Sequence, residues 1–514
     1  MRREEDIMKV SKFVLAIGAI LLLAGAPSWG AKGGIPGKPP PSDDPPPPAV
    51  VEDFYFWRWG HMDGPHDSSK ALGISRDGFT AVGSTVVVDF QRAWRSDINW
   101  AINTDLDGDT IPPLYNELQV QEDIGKIAPS RPSAAFAASD MTEGTIDGCP
   151  AYDKTDLSNL SLDWCGSLPV GTFDKGEVTY GIEWLLPALD AEDGYEFTNL
   201  IDYVAFPDFG GGISDMQVND VSADGLILVG TGTVKTGLRA FRVDTVNGPI
   251  DDELVPIPVQ LTIQEVIDGV EGQTLQYSSA EAVSADGLII AGYGGTKRGN
   301  KAFVTTYLGL DADTGEAILE SYILPTIPGG KFAEAYAMTV TDEGVIYIAG
   351  RSDSPRGPQA CIWFQGDDPL TTEVETWLVK GLGGLSKKKL DSVATGIALR
   401  QGAADGDLMV VGTSQSILYP SEAFVWAGNP VLEPDGEDGE FIGYMYDLEY
   451  ILTKTGAGAA SSFGSRWILN EGTGVSALGD RIVGWGTNPE GGIEAWVVTG
   501  YPLDELSTIL TYEE

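Results

Sequence analysis

The stretch VSADGLILVGTGTVKTGLRAFRV, residues 221–243, decides the fold because it returns as VSADGLIIAGYGGTKRGNKAFVT at residues 283–305. Both copies open on a polar turn, continue into a β-rich run that ends in glycine, cross a loop, and close on alanine followed by an aromatic residue. Aspartate caps such a turn through its own side chain and glycine supplies the positive φ, so each copy predicts a turn, a strand, a loop and a second strand.

Looser copies begin at Gly73, Val340, Ala403 and Val475, and the alanine–aromatic anchors or their equivalents stand at positions 93, 181, 240, 302, 360, 423 and 495. Propeller blades take about 40 to 50 residues and β-solenoid coils about 20 to 30, so units of roughly 60 residues favour a propeller with long loops. The wide gap after position 93 indicates an insertion at about 114–176. We predict an all-β fold, a β-propeller of seven blades; six or eight blades fit the same spacing.

Two longer segments connect these repeats to a known family. LGGLSKKKLDSVATGIA at 382–398 and FPDFGGGISDMQVNDVSADG at 206–225 form the first half of a motif, and AFVW at 423–426 forms the second. Over roughly residues 70 to 500 the repeats resemble the bacterial extracellular HAF repeats. The histidine of that name is replaced by Arg239, Lys301, Gln359 and Glu422. The resemblance implies a secreted or surface protein and no common activity.

The N-terminus is typical of an exported protein. A basic start is followed by the apolar run FVLAIGAILLLAG and by small residues before position 30, which predicts a signal peptide at 1–30. The run is shorter than the roughly 20 residues that a membrane span needs, so we expect no transmembrane segment in the mature chain. The proline-rich segment 31–50 is expected to be an extended linker, either a spacer from a surface or a solvated tail. Residues 51–514 then form the propeller, in an extracellular or periplasmic location.

The chain carries a formal net charge of −44. A strongly acidic surface repels nucleic acid and anionic lipid, so neither is expected as a partner. The acids are spread along the chain, which favours a role in solubility in salty surroundings over a role in binding cations. We expect a monomer.

The three cysteines divide into two groups. Cys149 and Cys165 lie in the insertion, and export predicts that they form a disulfide, although two free thiols remain the alternative. Cys361 occupies the aromatic position of its repeat, in register with Phe241 and Phe303, so it is predicted to be a buried and inert thiol.

Two segments carry metal-ligand chemistry. NTDLDGDTIPPLYNEL at 103–118 has the spacing of a calcium loop, with Asp105, Asp107 and Asp109 as candidate ligands. Its twelfth position, which needs a bidentate acid, is a leucine, so an Asp/Gly-rich turn is the alternative. His61, Asp63 and His66 are candidate transition-metal ligands, or else members of a polar loop. The whole chain has only two histidines, which excludes metal catalysis that needs several histidine ligands.

Function is constrained less tightly than fold. No nucleophile elbow, phosphate loop or nucleotide fingerprint occurs in convincing context. We predict an exported, non-catalytic interaction or scaffold propeller, which binds an unknown protein or glycan through loops on one face, with the 114–176 insertion contributing. The alternative is a carbohydrate-active enzyme, a glycosidase or lyase, whose paired acids cannot be chosen among 76 candidates. The strand-like segment 51–59 is predicted to close the ring by pairing with the last blade, near residues 493–510.

Overall fold

The computed structural model describes residues 55–58, 68–87, 90–97, 122–123, 133–140, 169–175, 178–183, 215–246, 258–267, 270–296, 299–311, 316–366, 376–386, 390–400, 407–430, 443–454 and 467–500. All of them belong to one compact unit, Val50–Glu514.

The first three sheets follow the chain in order. Sheet I contains β2 (Ser68–Ile74), β3 (Thr80–Val87), β4 (Phe90–Asp97) and β5 (Glu122–Asp123). Sheet II has the three strands β6 (Ser133–Ala138), β7 (Pro169–Lys175) and β8 (Val178–Glu183). Sheet III contains β9 (Met216–Val221), β10 (Ile227–Val234), β11 (Gly237–Asp244) and β12 (Val259–Gln260), and a separate hairpin of β13 (Gln264–Ile267) and β14 (Val270–Thr274) follows it.

Four more sheets complete the order. Sheet IV contains β15 (Tyr277–Val283), β16 (Ile289–Thr296), β17 (Gly299–Leu310) and β18 (Ala317–Ile323). Sheet V contains β19 (Ala333–Val340), β20 (Ile346–Ser352), β21 (Gln359–Gly366) and β22 (Thr376–Gly383). Sheet VI contains β23 (Ser392–Leu399), β24 (Leu408–Ser414), β25 (Glu422–Gly428) and β26 (Tyr444–Asp447), which leads into the helix α1 (Leu448–Lys454). Sheet VII contains β27 (Ile468–Val475), β28 (Arg481–Thr487), β29 (Ile493–Thr499) and, from the other end of the chain, β1 (Tyr55–Arg58).

The sheets form a closed ring. The first strand of each sheet contacts the sheet before it, and β2 contacts β27, β28 and β29, which returns the ring to its start. The part of the chain that the structure describes is therefore a β-propeller with six four-stranded blades, and the three-stranded sheet II lies between the blades of sheets I and III. This confirms the predicted all-β propeller, with a blade number inside the range that the repeat spacing allowed.

The predicted turn chemistry is present in the first hairpins of sheets I, III and IV. In the best-matched repeat, Asp224 Oδ1 accepts hydrogen bonds from the Ser222 hydroxyl at 2.5 Å and from the Leu226 amide at 3.0 Å. Gly225 has a φ of 77°, which side-chain-bearing residues rarely adopt. The same serine–aspartate bond recurs between Ser284 and Asp286. Each turn is thus fixed by its own side chains before any long-range packing.

A glycine on the second strand faces the anchor residue on the third. Phe241 pairs with Gly230, and a Cβ on that glycine would lie 2.9 Å from the phenylalanine ring. Cys361 pairs with Gly350 in the same register, and it is fully buried as a free thiol, as predicted. Ile182 pairs with Gly171 in sheet II, so the equivalent anchor at 181–182 is also in register. Residues 114–176, predicted as an insertion, contribute β5, β6 and β7.

The N-terminal strand closes the ring, as predicted. β1 pairs antiparallel with β29, with Phe56 opposite Val498. The Phe56 ring is fully buried against Trp467, at 5.3 Å between ring centroids, and against Trp496, at 6.4 Å. Because β1 covers the outer edge of sheet VII, that edge does not expose unpaired backbone groups.

The hydrophobic core lies between neighbouring sheets. Among the described residues, six clusters of buried residues occur, and each joins two successive sheets; Phe303 of sheet IV and Val229 of sheet III, for example, belong to the same cluster. All seven residues of β25 are buried, and successive residues belong to the clusters on its two faces, so one strand serves two interfaces at once. In the part of the chain that is described, no helix has the length and apolar character needed to cross a membrane.

Candidate functional site at the inner seams and the loop face

The two ends of the ring are built differently. Turns that join first and second strands lie at one end, which we call the turn face. Connections between second and third strands lie at the other end, which we call the loop face. The described loop-face connections include 235–236, 353–358, 415–420 and 488–492.

On the turn face, neighbouring turns bond to each other. The Ala477 amide donates to Arg76 O at 2.7 Å, and the Ala223 amide donates to Ala285 O at 3.1 Å. The Arg76 guanidinium, from the first turn of sheet I, donates to Val283 O in sheet IV. The groups at this end therefore tie the ring together.

Arg76 also lies beside two carboxyls. Its Nη2 is 4.0 Å from Asp220 Oδ2. Burial raises the pKa of Asp220, although the guanidinium counteracts this. Burial and then the charge of Asp77 raise the pKa of Asp140 to about 6, while its Oδ1 accepts the Asp77 amide at 2.8 Å. These acids are engaged in the junction of sheets I, II and III.

At the inner edge of the ring, each sheet contributes three side chains of one register. The first is the residue at the β-bulge of the first strand, and the second stands two positions before it on the same strand. The third lies on the second strand, where it pairs with the second of these residues. The bulged residues are Leu72, Phe136, Asn219, Glu281, Tyr336, Thr395 and Thr473. We call the places where they meet the next sheet the inner seams.

Three bulged residues bond directly to the next sheet. Asn219 donates its side-chain amide to Ala280 O at 2.8 Å, across the seam between sheets III and IV. The Thr395 hydroxyl donates to Gly472 O at 2.6 Å, and the Thr473 hydroxyl donates to Ala71 O at 3.0 Å. At these seams the bulged residue has a structural role, because it bonds one blade to the next.

The seam between sheets IV and V is built from larger ionisable groups. Glu334 Oε2 accepts from Arg351 Nε at 2.7 Å and from the Tyr336 hydroxyl at 2.7 Å. The Tyr336 ring meets the Tyr293 ring edge-on, with centroids 5.8 Å apart. Glu281, at the bulged position, accepts from the hydroxyl of Ser279 on its own strand. In sheets IV and V, the bulged residues Glu281 and Tyr336 thus hydrogen-bond to side chains of their own strands. The three bulged residues described above bond instead to a backbone group of the next sheet.

Burial sets the proton affinity of these groups. It raises the pKa of Glu281 to about 7, and the negative charges of Glu334 and Asp220 add to the effect. It also raises the pKa of the Tyr336 phenol well above its usual value. At neutral pH this seam therefore offers phenol hydroxyls and a carboxyl near its midpoint of titration, beside a guanidinium.

The seam between sheets VII and I has a second ionisable group of this kind. Lys70 Nζ lies 3.9 Å above the centre of the Trp485 ring. Burial raises the pKa of Glu471 to about 7, and the positive charge of Lys70 works against that rise. Burial likewise lowers the pKa of Lys70. A carboxyl, an ammonium and an indole thus lie together at the inner edge, and they bind the two sheets.

The metal ligands and the disulfide predicted from the sequence lie outside the described residues. This applies to the calcium candidates Asp105, Asp107 and Asp109, to the candidates His61, Asp63 and His66, and to the pair Cys149 and Cys165. Within the described ranges, no three His, Cys, Asp or Glu side chains are grouped so that they could hold a metal ion.

The inner-seam residues were missed by the sequence reasoning. A signal exists, because the residue three positions before the turn serine is Asn219, Glu281 or Thr473 in three repeats that otherwise agree. Variation at one fixed position of a regular repeat marks a place where blades differ in role. The second feature that was missed is the exposure of Ile417 and Leu418, at 81% and 80%, on a loop-face connection.

Comparisons with known proteins add little. No family model matches the chain, and no curated protein matches it. Among solved structures, the chain is similar to the crystal structure of Sqt1 from Chaetomium thermophilum, with 12% sequence identity and a TM-score of 0.33, over 87% of this chain and 98% of that chain. A similarity of this size carries no argument about function, and the ring of sheets establishes the fold by itself. The resemblance to HAF repeats stays a prediction.

Proposed function

We propose that this chain is an exported, non-catalytic interaction propeller that binds a protein or a glycan on its loop face. The observation that carries the proposal is the contrast between the two ends of the ring. On the turn face, one serine–aspartate turn recurs in sheets I, III and IV, whereas the loop-face connections 235–236, 353–358, 415–420 and 488–492 range from two to six residues and differ in chemistry. Variable connections on a rigid, repeating framework are where repeat proteins place recognition.

The inner seams support the same conclusion. Hydrogen bonds between blades engage the side-chain polar groups of Asn219, Thr395 and Thr473. The Glu334 carboxylate accepts hydrogen bonds from Arg351 and Tyr336, so it takes part in an ion pair inside the ring. Such a framework presents the loops in fixed positions, which lowers the conformational entropy lost on binding.

Export is part of the proposal and rests on the N-terminal sequence. The basic start and apolar run before position 30 support a signal peptide. The net charge of −44 makes anionic lipid and nucleic acid unfavourable partners and favours basic ones.

The test is a protein and glycan array probed with residues 31–514. Each ligand that binds is measured again with a loop-face variant, Arg356→Glu combined with Glu490→Lys, and with a turn-face control, Asp342→Lys; all three positions are exposed or nearly so. We expect ligands whose Kd changes at least about tenfold in the loop-face variant and less than about twofold in the control. Ligands sensitive only to Asp342→Lys would place recognition at the other end of the ring and contradict the proposal.

One observation favours the second candidate, a carbohydrate-active enzyme. Glycosidases pair a carboxylic acid of raised pKa with an ionised carboxylate. Glu281, with its pKa raised to about 7, lies near Glu334, which Arg351 binds. The discriminating experiment is turnover of a polysaccharide library. Turnover that Glu281→Gln abolishes, with glycan binding retained, would establish the enzyme and replace the non-catalytic proposal.

A further inference from the structure

The connection 415–420 holds two large apolar side chains away from the protein. Ile417 and Leu418 are 81% and 80% exposed, and Tyr419 is 37% exposed. The other described loop-face connections expose mainly polar residues or proline and glycine, namely Lys235, Thr236, Pro355, Arg356, Glu490 and Gly491. Exposed aliphatic residues side by side at a loop tip are unfavourable in water, which marks this tip as an interaction site.

The tip is rigid. Ser416 Oγ accepts the amides of Leu418 and Tyr419, both at 3.0 Å, and the Ser416 amide donates to Tyr419 O at 3.0 Å. The two ends of the connection are tied to the ring, because the Gln415 amide donates to Asp391 O at 2.8 Å and the Ser421 hydroxyl donates to Asn470 O at 2.8 Å. The backbone that carries Ile417 and Leu418 is therefore held in place before any partner arrives, so little backbone order is lost on docking.

Acidic groups surround the base of the tip. Glu422 pairs with Ser414 at the base of the connection, and Asp447 pairs with Phe424, two residues further along β25. Glu422 also hydrogen-bonds Ser416, and burial raises the pKa of this glutamate. Burial, followed by the charges of Asp447 and Glu422, raises the pKa of Glu449 to about 7. Tyr419 lies within the field of the same three carboxyls. The local potential is negative, and it favours basic groups on whatever covers the tip.

We propose that the Ile417–Leu418 tip is the anchor of the loop face and inserts into an apolar socket, rimmed by lysine or arginine, on a protein partner. This inference rests on the proposed function and names its hot spot and its partner class. A few residues carry most of an interface's affinity, and a charged rim adds rate and specificity. The occupant is a protein and not a membrane, because the acids around the tip repel anionic lipid headgroups.

The test begins with a phage-displayed random peptide library selected on residues 31–514. A synthetic peptide of the selected consensus is then titrated against the unchanged chain, against Ile417→Ser/Leu418→Ser, and against Val246→Ser. Val246 is a matched control because it is 63% exposed on the turn face, where β11 ends. Thermal melting of all three chains checks folding, and should not differ because the substituted side chains are exposed.

We expect a consensus of one or two large apolar residues next to lysine or arginine. Its Kd should rise at least about tenfold with Ile417→Ser/Leu418→Ser and less than about twofold with Val246→Ser. Binding should weaken between about 50 and 500 mM salt, since the rim contribution is screened.

Four results would overturn the inference. A consensus without basic residues would contradict the basic rim, and a consensus peptide that binds the double variant normally would contradict the anchor. In either case, weaker binding of the same peptide to Arg356→Glu with Glu490→Lys would leave the loop-face proposal standing. Binding to phosphatidylcholine–phosphatidylglycerol vesicles that the double variant loses would make the occupant a membrane. A dimer in sedimentation velocity that the double variant dissociates would make it a second copy of the chain.

Discussion

Truncating Phe56 to alanine tests ring closure in quantitative terms. The ring of Phe56 is fully buried and contacts both Trp467 and Trp496, the latter on the strand next to β1. Removing a buried phenylalanine side chain costs about 3 to 5 kcal/mol, from lost transfer free energy and the cavity left behind. The lost edge-to-face contact is part of that range, since such pairs contribute about 0.5 to 1.5 kcal/mol. We expect Phe56→Ala to lower the free energy of unfolding by this amount.

Urea unfolding followed by tryptophan fluorescence measures the change, because Trp467 and Trp496 report on this interface directly. Arg58→Lys is the matched control on the same strand. The Arg58 side chain is 42% exposed and lies 3.9 Å from Glu494, which is 1% exposed; because lysine keeps the positive charge beside this buried carboxylate, the cost should stay under about 1 kcal/mol. Deleting residues 31–48 should leave the midpoint unchanged, because they precede β1. A loss below about 1 kcal/mol for Phe56→Ala, equal to that of Arg58→Lys, would refute closure of the ring by β1.

Three further predictions concern ionisable groups. Because the fold raises the pKa of Glu281 from 4.5 to about 7, its stabilising contribution is complete below about pH 4.5 and is lost as the pH rises through about 7. Glu281→Gln should thus match the unchanged chain at pH 4 and exceed its stability at pH 8 by about 3 kcal/mol in urea titrations; a less stable variant at pH 8 contradicts this. Cys361, whose thiol pKa burial raises well above 9, should resist alkylation in the native protein, and ready labelling by mass spectrometry would show that it is accessible. Calcium at Asp105, Asp107 and Asp109 should bind weakly, with a Kd of about 0.1 to 1 mM in calorimetry, and identical melting with and without chelator would remove the site.

The turns and strand register of the ring were predictable because short stretches of sequence determine them. The turn of Asp224 and Gly225 follows from side-chain capping and positive φ, which need only a few consecutive residues. The buried position of Cys361 followed from its alignment with Phe241, since equal register in a repeat means equal depth in the core. Closure by residues 51–59 followed from the need to cover a sheet edge.

The functional features were not predictable because they depend on pairing and exposure. Glu281 and Tyr336 gain their shared environment from bulges in β15 and β19, which exist only once these strands pair with β16 and β20. Ile417 and Leu418 look like core residues by composition, and only the rigid turn around Ser416 places them in solvent.

Hydrogen–deuterium exchange with a bound ligand tests the central claim most directly. The ligand is the one that gives the tightest binding in the array or in the peptide selection, added at saturation to residues 31–514. Our account predicts slower exchange of backbone amides in the loop-face connections 353–358, 415–420 and 488–492, with the turns at 222–225, 284–287 and 476–479 unchanged. Protection confined to those turns, with the loop face unchanged, would contradict recognition by the loop face.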